Sequence, residues 1–182
     1  IYHRRGDEYF DFAAHNILAG TDRDSMIARR GIVRGIMAQA YRSNVVIVTL
    51  GLAEGWRDSL TGIHLIDTPL TLKSADMERF RFELLGYDDV VQDLEDIWSL
   101  IAAHGLFGCK MIVSVSPVPF MTSFTGNDVV TANMYSKSVL RAAAEDFCRR
   151  HEGVDYFPSF EMAMMSPPES VWREDRRHIK RA

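Results

Sequence analysis

The stretch Val45-Val46-Ile47-Val48-Thr49-Leu50-Gly51 decides the fold class. Six consecutive apolar or β-branched residues without polar alternation have the pattern of a strand buried on both faces of a parallel sheet, and Gly51 ends it. Upstream, Met26, Ile27, Val33, Ile36, Met37, Ala40 and Tyr41 recur at three-to-four spacing, which predicts an amphipathic helix over residues 22–42. Downstream, Val90, Val91, Leu94, Ile97, Trp98 and Ile101 make the stripe of a second helix over residues 88–104, with Gly105 just past its end. A second buried strand, Lys110–Val115, follows and stops at Ser116-Pro117. A third helix over residues 132–150 carries Tyr135, Val139, Leu140, Ala143, Ala144, Phe147 and Cys148, and Val154–Phe157 is a last strand closed by Pro158. Helices alternating with strands predict an α/β domain with a parallel sheet and right-handed crossovers. Residues 58–86 lack clear periodicity and read as a surface insertion, so the chain is expected to form one domain.

Composition bounds the function. With 182 residues, 47% apolar, and a net charge of −4, the chain can bury a core and is not a disordered segment. No apolar run approaches the roughly 20 residues of a spanning helix, so no membrane partner is expected. The acidic balance argues against a nucleic-acid binder. Arg173, Arg176, Arg177, Lys180 and Arg181 form a local basic cluster diluted by Glu174 and Asp175, read as a solvated terminal helix or tail. Cys109 and Cys148 form no CxxC pair and read as core residues, which fits a reducing cytoplasm. His3, His15, His64, His104 and His151 show no metal-ligand spacing, and no phosphate-binding glycine motif occurs, so neither metal nor cofactor is expected.

In open parallel sheets, ligands bind beyond the carboxyl ends of the strands. Three segments lie there: residues 51–56, residues 116–127, and the chain after Phe157. Gly51 can expose a backbone N–H to a developing oxyanion, or simply turn the chain. Ser116-Pro117-Val118-Pro119 makes a stiff loop suited to a pocket wall or to a plain crossover. Asn127, Asp128 and Asn133 read as caps of the third helix. Near the C-terminus, Asp175-Arg176-Arg177-His178 has the D-x-x-H spacing in which a carboxylate orients an imidazole acting as general base. The spacing alone is common; its position after the last strand gives it weight.

Four blocks in order carry a family resemblance: Val48-Thr49-Leu50-Gly51-Leu52-Ala53-Glu54-Gly55-Trp56, Ser114-Val115-Ser116-Pro117-Val118-Pro119-Phe120, Tyr135-Ser136-Lys137-Ser138-Val139-Leu140-Arg141, and Asp155-Tyr156-Phe157-Pro158-Ser159-Phe160-Glu161. With the terminal D-x-x-H, they resemble the bacterial GSCFA family. That family is similar to SGNH (GDSL-like) hydrolases, three-layer α/β/α proteins with a flavodoxin-like parallel sheet that cleave or transfer acyl esters. The resemblance implies His178 as base, Asp175 as its partner and Gly51 as an oxyanion donor. Its substrate would be an acylated carbohydrate or similar small ester. It also implies a nucleophilic serine in a Gly-Ser-Cys-Phe-Ala segment after a first strand. This sequence has no such segment and begins at Ile1, with Tyr2 to Asp7 reading as a loop into a domain already under way; the first strand is expected upstream. Where SGNH proteins place an asparagine shortly after the glycine, this chain has Ala53 and Glu54. Glu54 is a candidate for binding a substrate hydroxyl or pairing with Lys137 or Arg141. Those two cations, four residues apart, either face an anionic substrate, hold the site's loops, or form an exposed salt-bridged face. Ser116 and Ser136 are the candidates to replace the nucleophile, although no elbow motif surrounds either.

Overall fold

The computed structural model describes residues 2–12, 14, 20–66, 68–69 and 77–180. In chain order these form β1 (Tyr2–Arg5), β2 (Glu8–Asp11), α1 (Arg23–Met37), β3 (Val45–Leu50), β4 (Glu54–Asp58), β5 (His64–Leu65), β6 (Phe80–Leu84), α2 (Tyr87–His104), β7 (Lys110–Val115), α3 (Val129–Arg150), β8 (Val154–Phe157), α4 (Ser159–Met165) and α5 (Pro168–Val171). The chain divides into two compact units. One comprises Ile1–Ala40 and Glu54–Leu84, the other Tyr41–Ala53 and Leu85–Ala182.

The second unit has the expected α/β architecture. Its sheet runs β3-β7-β8, all parallel, with Val45 opposite Lys110 and Met111 opposite Val154. Both crossovers step in one direction across the sheet, so right-handed connections place α2 and α3 on the same face. There Val90, Leu94 and Ile101 of α2 meet Leu140, Ala143, Ala144 and Phe147 of α3 over Met111, Val113 and Val115 of β7. The α2 stripe read from periodicity is the stripe that is buried, because apolar positions three to four apart can only share one side of a helix.

Strand β3 departs from expectation. Val46, Val48 and Leu50 pack on the core, but Ile47 is 67% exposed and Val45 45%. An unbroken apolar run says that both faces can be buried; here β3 is an edge strand, and its second face stands open. Helix α3 begins at Val129, earlier than its periodicity suggests, because Asp128 accepts the Val130 and Thr131 N–H groups as N-cap. Cys109 and Cys148 are half-buried against the core, as expected.

The first unit holds two antiparallel sheets. Tyr2 to Asp11 is not a loop but the hairpin β1-β2, turned by Gly6 at φ 61°. The supposed insertion over residues 58–86 instead contributes most of a sheet ordered β5-β4-β6, although residues 67 and 70–76 lie outside the described ones. Its signal was present in Phe80-Arg81-Phe82-Glu83-Leu84, which alternates with period two. Trp56 stands opposite Phe82, their rings edge-on at 5.5 Å. The Asp58 carboxylate, almost fully buried, takes both Arg79 hydrogen bonds (2.6 and 2.7 Å) and one from Thr61. Arg79 first of all holds its pKa far below the usual carboxylate range. Helix α1 buries Met26 and ties Arg30 to Asp11 at 2.6 Å; Ile27, Ile36 and Met37, expected on its core face, are exposed.

Gly105 closes α2 by donating to the Ile101 carbonyl at 2.7 Å in extended backbone, where a Cβ would lie 2.4 Å from that same oxygen. Gly35, in α1, faces open space. Gly105→Ala is therefore expected to lower stability by about 1–3 kcal/mol through crowding, whereas Gly35→Ala raises it by about 0.5–1 kcal/mol. Denaturant midpoints of the two variants check this.

Candidate functional site

Strand β3 delivers the chain to the turn Gly51-Leu52-Ala53, and α3 grips that turn from inside the unit. The Ser136 hydroxyl accepts the Ala53 N–H at 2.8 Å, and the Lys137 ammonium donates to the Gly51 carbonyl at 2.8 Å. Both side chains are buried, Lys137 to 1% exposure. That hydrogen bond is the only partner of Lys137 among the described residues, so its charge has no carboxylate against it. Desolvation accordingly pulls its pKa down to about 8. Gly51 itself is under no local demand to be glycine: its φ is not in the left-handed region, and a Cβ would meet nothing within 4 Å. Its missing side chain leaves open space in front of the turn.

Arg141, one turn further along α3, does a different job. Its Nε donates to Glu161 at 2.6 Å, its Nη2 to Glu145 at 2.9 Å, and its guanidinium lies 4.0 Å over the Tyr156 ring. The Tyr156 hydroxyl donates to the same Glu161 at 2.9 Å, and burial first of all pushes its pKa up. Arg141 thus joins α3 to β8 and α4. Lys137, Arg141 and Glu145 also line an open cleft of about 600 Å³ whose apolar wall is Met134, Ala142 and Phe160.

The loop after β7 is pinned at several points. The Ser116 hydroxyl accepts the Val118 N–H at 3.3 Å, and Asn133, not a cap, accepts the Phe120 N–H at 3.2 Å. The end of the sheet is drawn together by two serines that sequence reasoning passed over. Ser114 donates to the Phe157 carbonyl at 2.9 Å and Ser159 to the Val115 carbonyl at 2.8 Å.

The basic C-terminal segment is neither helix nor tail. Trp172 bridges Ile179 antiparallel, the Arg173 N–H donates to the His178 carbonyl at 2.8 Å, and Lys180 donates to Val171, which makes a short hairpin. Arg181 lies outside the described residues. At the hairpin's tip, Asp175 Oδ2 sits 2.6 Å from His178 Nδ1, while Oδ1 accepts the Arg177 and His178 N–H groups at 2.9 and 3.0 Å. The ring contact foremost, then the backbone donors, hold the Asp175 carboxyl far below its ordinary range. With Nδ1 committed to the carboxylate, Nε2 makes no hydrogen bond among the described residues, and the His178 side chain is 54% exposed.

The fold thus gathers the sequence candidates into separate groups. Asp175 and His178 meet; Gly51 and Lys137 meet, with Ser136; Arg141 pairs elsewhere. Neither Ser116 nor Ser136 is hydrogen-bonded to the His178 ring. Glu54 opens β4 and belongs to the other unit. His64 meets Glu83, His104 the Tyr41 ring and His151 Glu95; His15 and the His3 side chain lie outside the described residues. Among the described residues no cluster of three or more His, Cys, Asp or Glu side chains could hold a metal, and no helix is long and apolar enough to cross a membrane.

The buried Lys137 cation has a measurable consequence. An unfolded lysine keeps its proton up to pH 10.5, whereas the folded one loses it near 8, so between these values the unfolded state binds more protons and stability rises with pH. The gain is expected to reach about 3 kcal/mol by pH 10.5 relative to a Lys137→Met variant, in which it vanishes. Denaturation curves of both proteins at pH 7.5 and 10 measure it.

The ordered blocks that carried the sequence resemblance now have places: β3 with its turn, β7 with its proline loop, the α3 clamp, and β8 running into α4. No curated protein and no solved structure matches the chain. The GSCFA family model does match it, over residues 1–182, the whole length, and the chain belongs to the GSCFA family.

Proposed function

We propose that this chain carries the base side of an acyl-ester hydrolase or acyltransferase of SGNH type, acting on an acylated carbohydrate or similar small ester without metal or cofactor. The observation that carries the reading is the Asp175–His178 dyad, with Nδ1 locked to a carboxylate that stays ionised and Nε2 making no hydrogen bond among the described residues. Asp175 fixes the tautomer in which Nε2 carries a lone pair. Nε2 takes the proton of a nucleophilic hydroxyl as its oxygen attacks the ester carbonyl. It then returns that proton to the leaving alkoxide, and water or an acceptor hydroxyl repeats the cycle on the acyl-enzyme. The unobstructed Gly51 turn, held by Lys137 and Ser136, offers its N–H to the tetrahedral oxyanion.

The family's Gly-Ser-Cys-Phe-Ala segment does not occur in residues 1–182, and the reading takes the nucleophilic hydroxyl from such a segment. The same observation favours a second reading, a carbohydrate- or protein-binding domain that keeps the fold without turnover. Ester hydrolysis by protein that includes the signature segment separates the two. On the catalytic reading His178→Ala lowers kcat by about 10²–10⁴-fold with the fold intact. Unchanged turnover in that variant removes His178 as base. Gly51→Ala places a methyl group in the open space before the turn and is expected to lower kcat by about 10–100-fold with little change in stability. A variant as active as the parent would show that the turn does not face the oxyanion.

A further inference from the structure

A second cleft, of about 350 Å³, lies within the same unit. Its polar lining is Asn133 and Arg176, and Pro117, Pro119, Phe120, Met134, Phe160 and Trp172 form most of its wall. Three of these come from the loop that leaves β7, one from the start of α4 and one from the hairpin that bears Asp175 and His178. The cleft therefore sits where the carboxyl ends of β7 and β8 meet the dyad's own hairpin. Its proline wall is stiff, since two ring-locked φ angles and the Asn133 hydrogen bond to Phe120 hold the loop in place without a ligand. Met134 and Phe160 line both clefts, so the two share a wall.

One cation stands among these apolar walls. Arg176 lines the cleft from the hairpin turn, at φ 52°. It is the only non-glycine residue with positive φ among the described ones, at a position glycine would take without steric penalty. Arg176 brings a cationic residue to an apolar slot, which matches a ligand with a hydrocarbon chain and a polar or anionic head.

We infer that this cleft is the acyl-chain subsite: it takes a linear hydrocarbon chain of medium length, with Arg176 meeting the oxygen-bearing end of the ligand. The size suits a chain of up to roughly fourteen carbons, on the scale at which an apolar cavity of about 150 Å³ takes one six-carbon ring. Acetyl would leave most of the apolar wall wet. The inference rests on the acyl-ester reading for the word acyl; the cleft's preference for a chain does not depend on turnover.

Calorimetric titration of the protein with sodium octanoate, sodium butyrate and sodium acetate tests it. Octanoate is expected to bind at least tenfold more tightly than butyrate, with acetate undetected. Val130 lines the cleft but is 66% exposed, so Val130→Trp can plug the slot without disturbing the core; it is expected to weaken octanoate at least tenfold. Arg176→Gln is expected to weaken octanoate several-fold and leave 1-octanol unchanged. Absence of octanoate binding, equal affinity for all three acids, or octanoate binding untouched by Val130→Trp overturns the inference. Hydrolysis of p-nitrophenyl octanoate and acetate by protein that includes the signature segment, with and without His178→Ala, separates this from the catalytic reading. Octanoate binding at the cleft without His178-dependent turnover keeps the subsite and removes the hydrolase. Turnover that needs His178 but treats both esters alike, with no octanoate binding, does the reverse.

Discussion

A lysine ammonium buried beneath the end of a β-strand is the constraint around which the α/β unit is organised. Lys137 donates to the Gly51 carbonyl and, among the described residues, to no carboxylate, so a charge has been taken out of water for one neutral hydrogen bond. Such an arrangement carries a desolvation penalty that packing elsewhere must exceed. The surrounding core does so: Leu140, Ala143, Ala144 and Phe147, on the same helix, are buried against β7 and α2. What the arrangement achieves is rigidity. Ser136 and Lys137, adjacent on α3, bind the two ends of a three-residue turn, and the turn cannot move without breaking a buried hydrogen bond.

From that anchor the rest of the site follows by division of labour along one helix. Asp128 caps it, Asn133 holds the proline loop, Ser136 and Lys137 hold the turn after β3, and Arg141 ties in β8 and α4 through Glu161. With the adjacent Ser136 and Lys137 taken as one pair, these positions fall three to five residues apart, so successive turns of α3 reach successive loops at the carboxyl end of the sheet. The two clefts lie along the same helix and share Met134 and Phe160. Met134 is unbranched and adaptable, suited to a wall that two clefts share.

Much of this was legible in residue order, and the errors have physical causes. The α2 stripe and the parallel strands β7 and β8 were found because local periodicity reports which side of an element is apolar. It does not report whether anything covers that side, which is why Ile47 of β3 and Ile36 of α1 were placed in a core and stand exposed. Strand β6 and the first hairpin are hard to read from residue order because short antiparallel strands give a weak signal per residue, and nothing local to Gly6 marks it as the left-handed turn between β1 and β2. Asn133 was read as a cap because helix starts are set by one side-chain hydrogen bond, and Asp128 made it first.

The sequence by itself determined the α/β class, the helix faces that build the core, and the Asp175–His178 pairing, since a carboxylate and an imidazole three residues apart can meet within a single turn. Tertiary structure alone decided what Lys137 and Arg141 do. Their four-residue spacing promised a shared face, yet one reaches Gly51, 86 positions away, and the other Glu161, 20 positions away. Spacing along a helix sets which side chains are neighbours. Which buried carbonyl or carboxylate each one meets depends on how distant segments pack, and no local pattern encodes that.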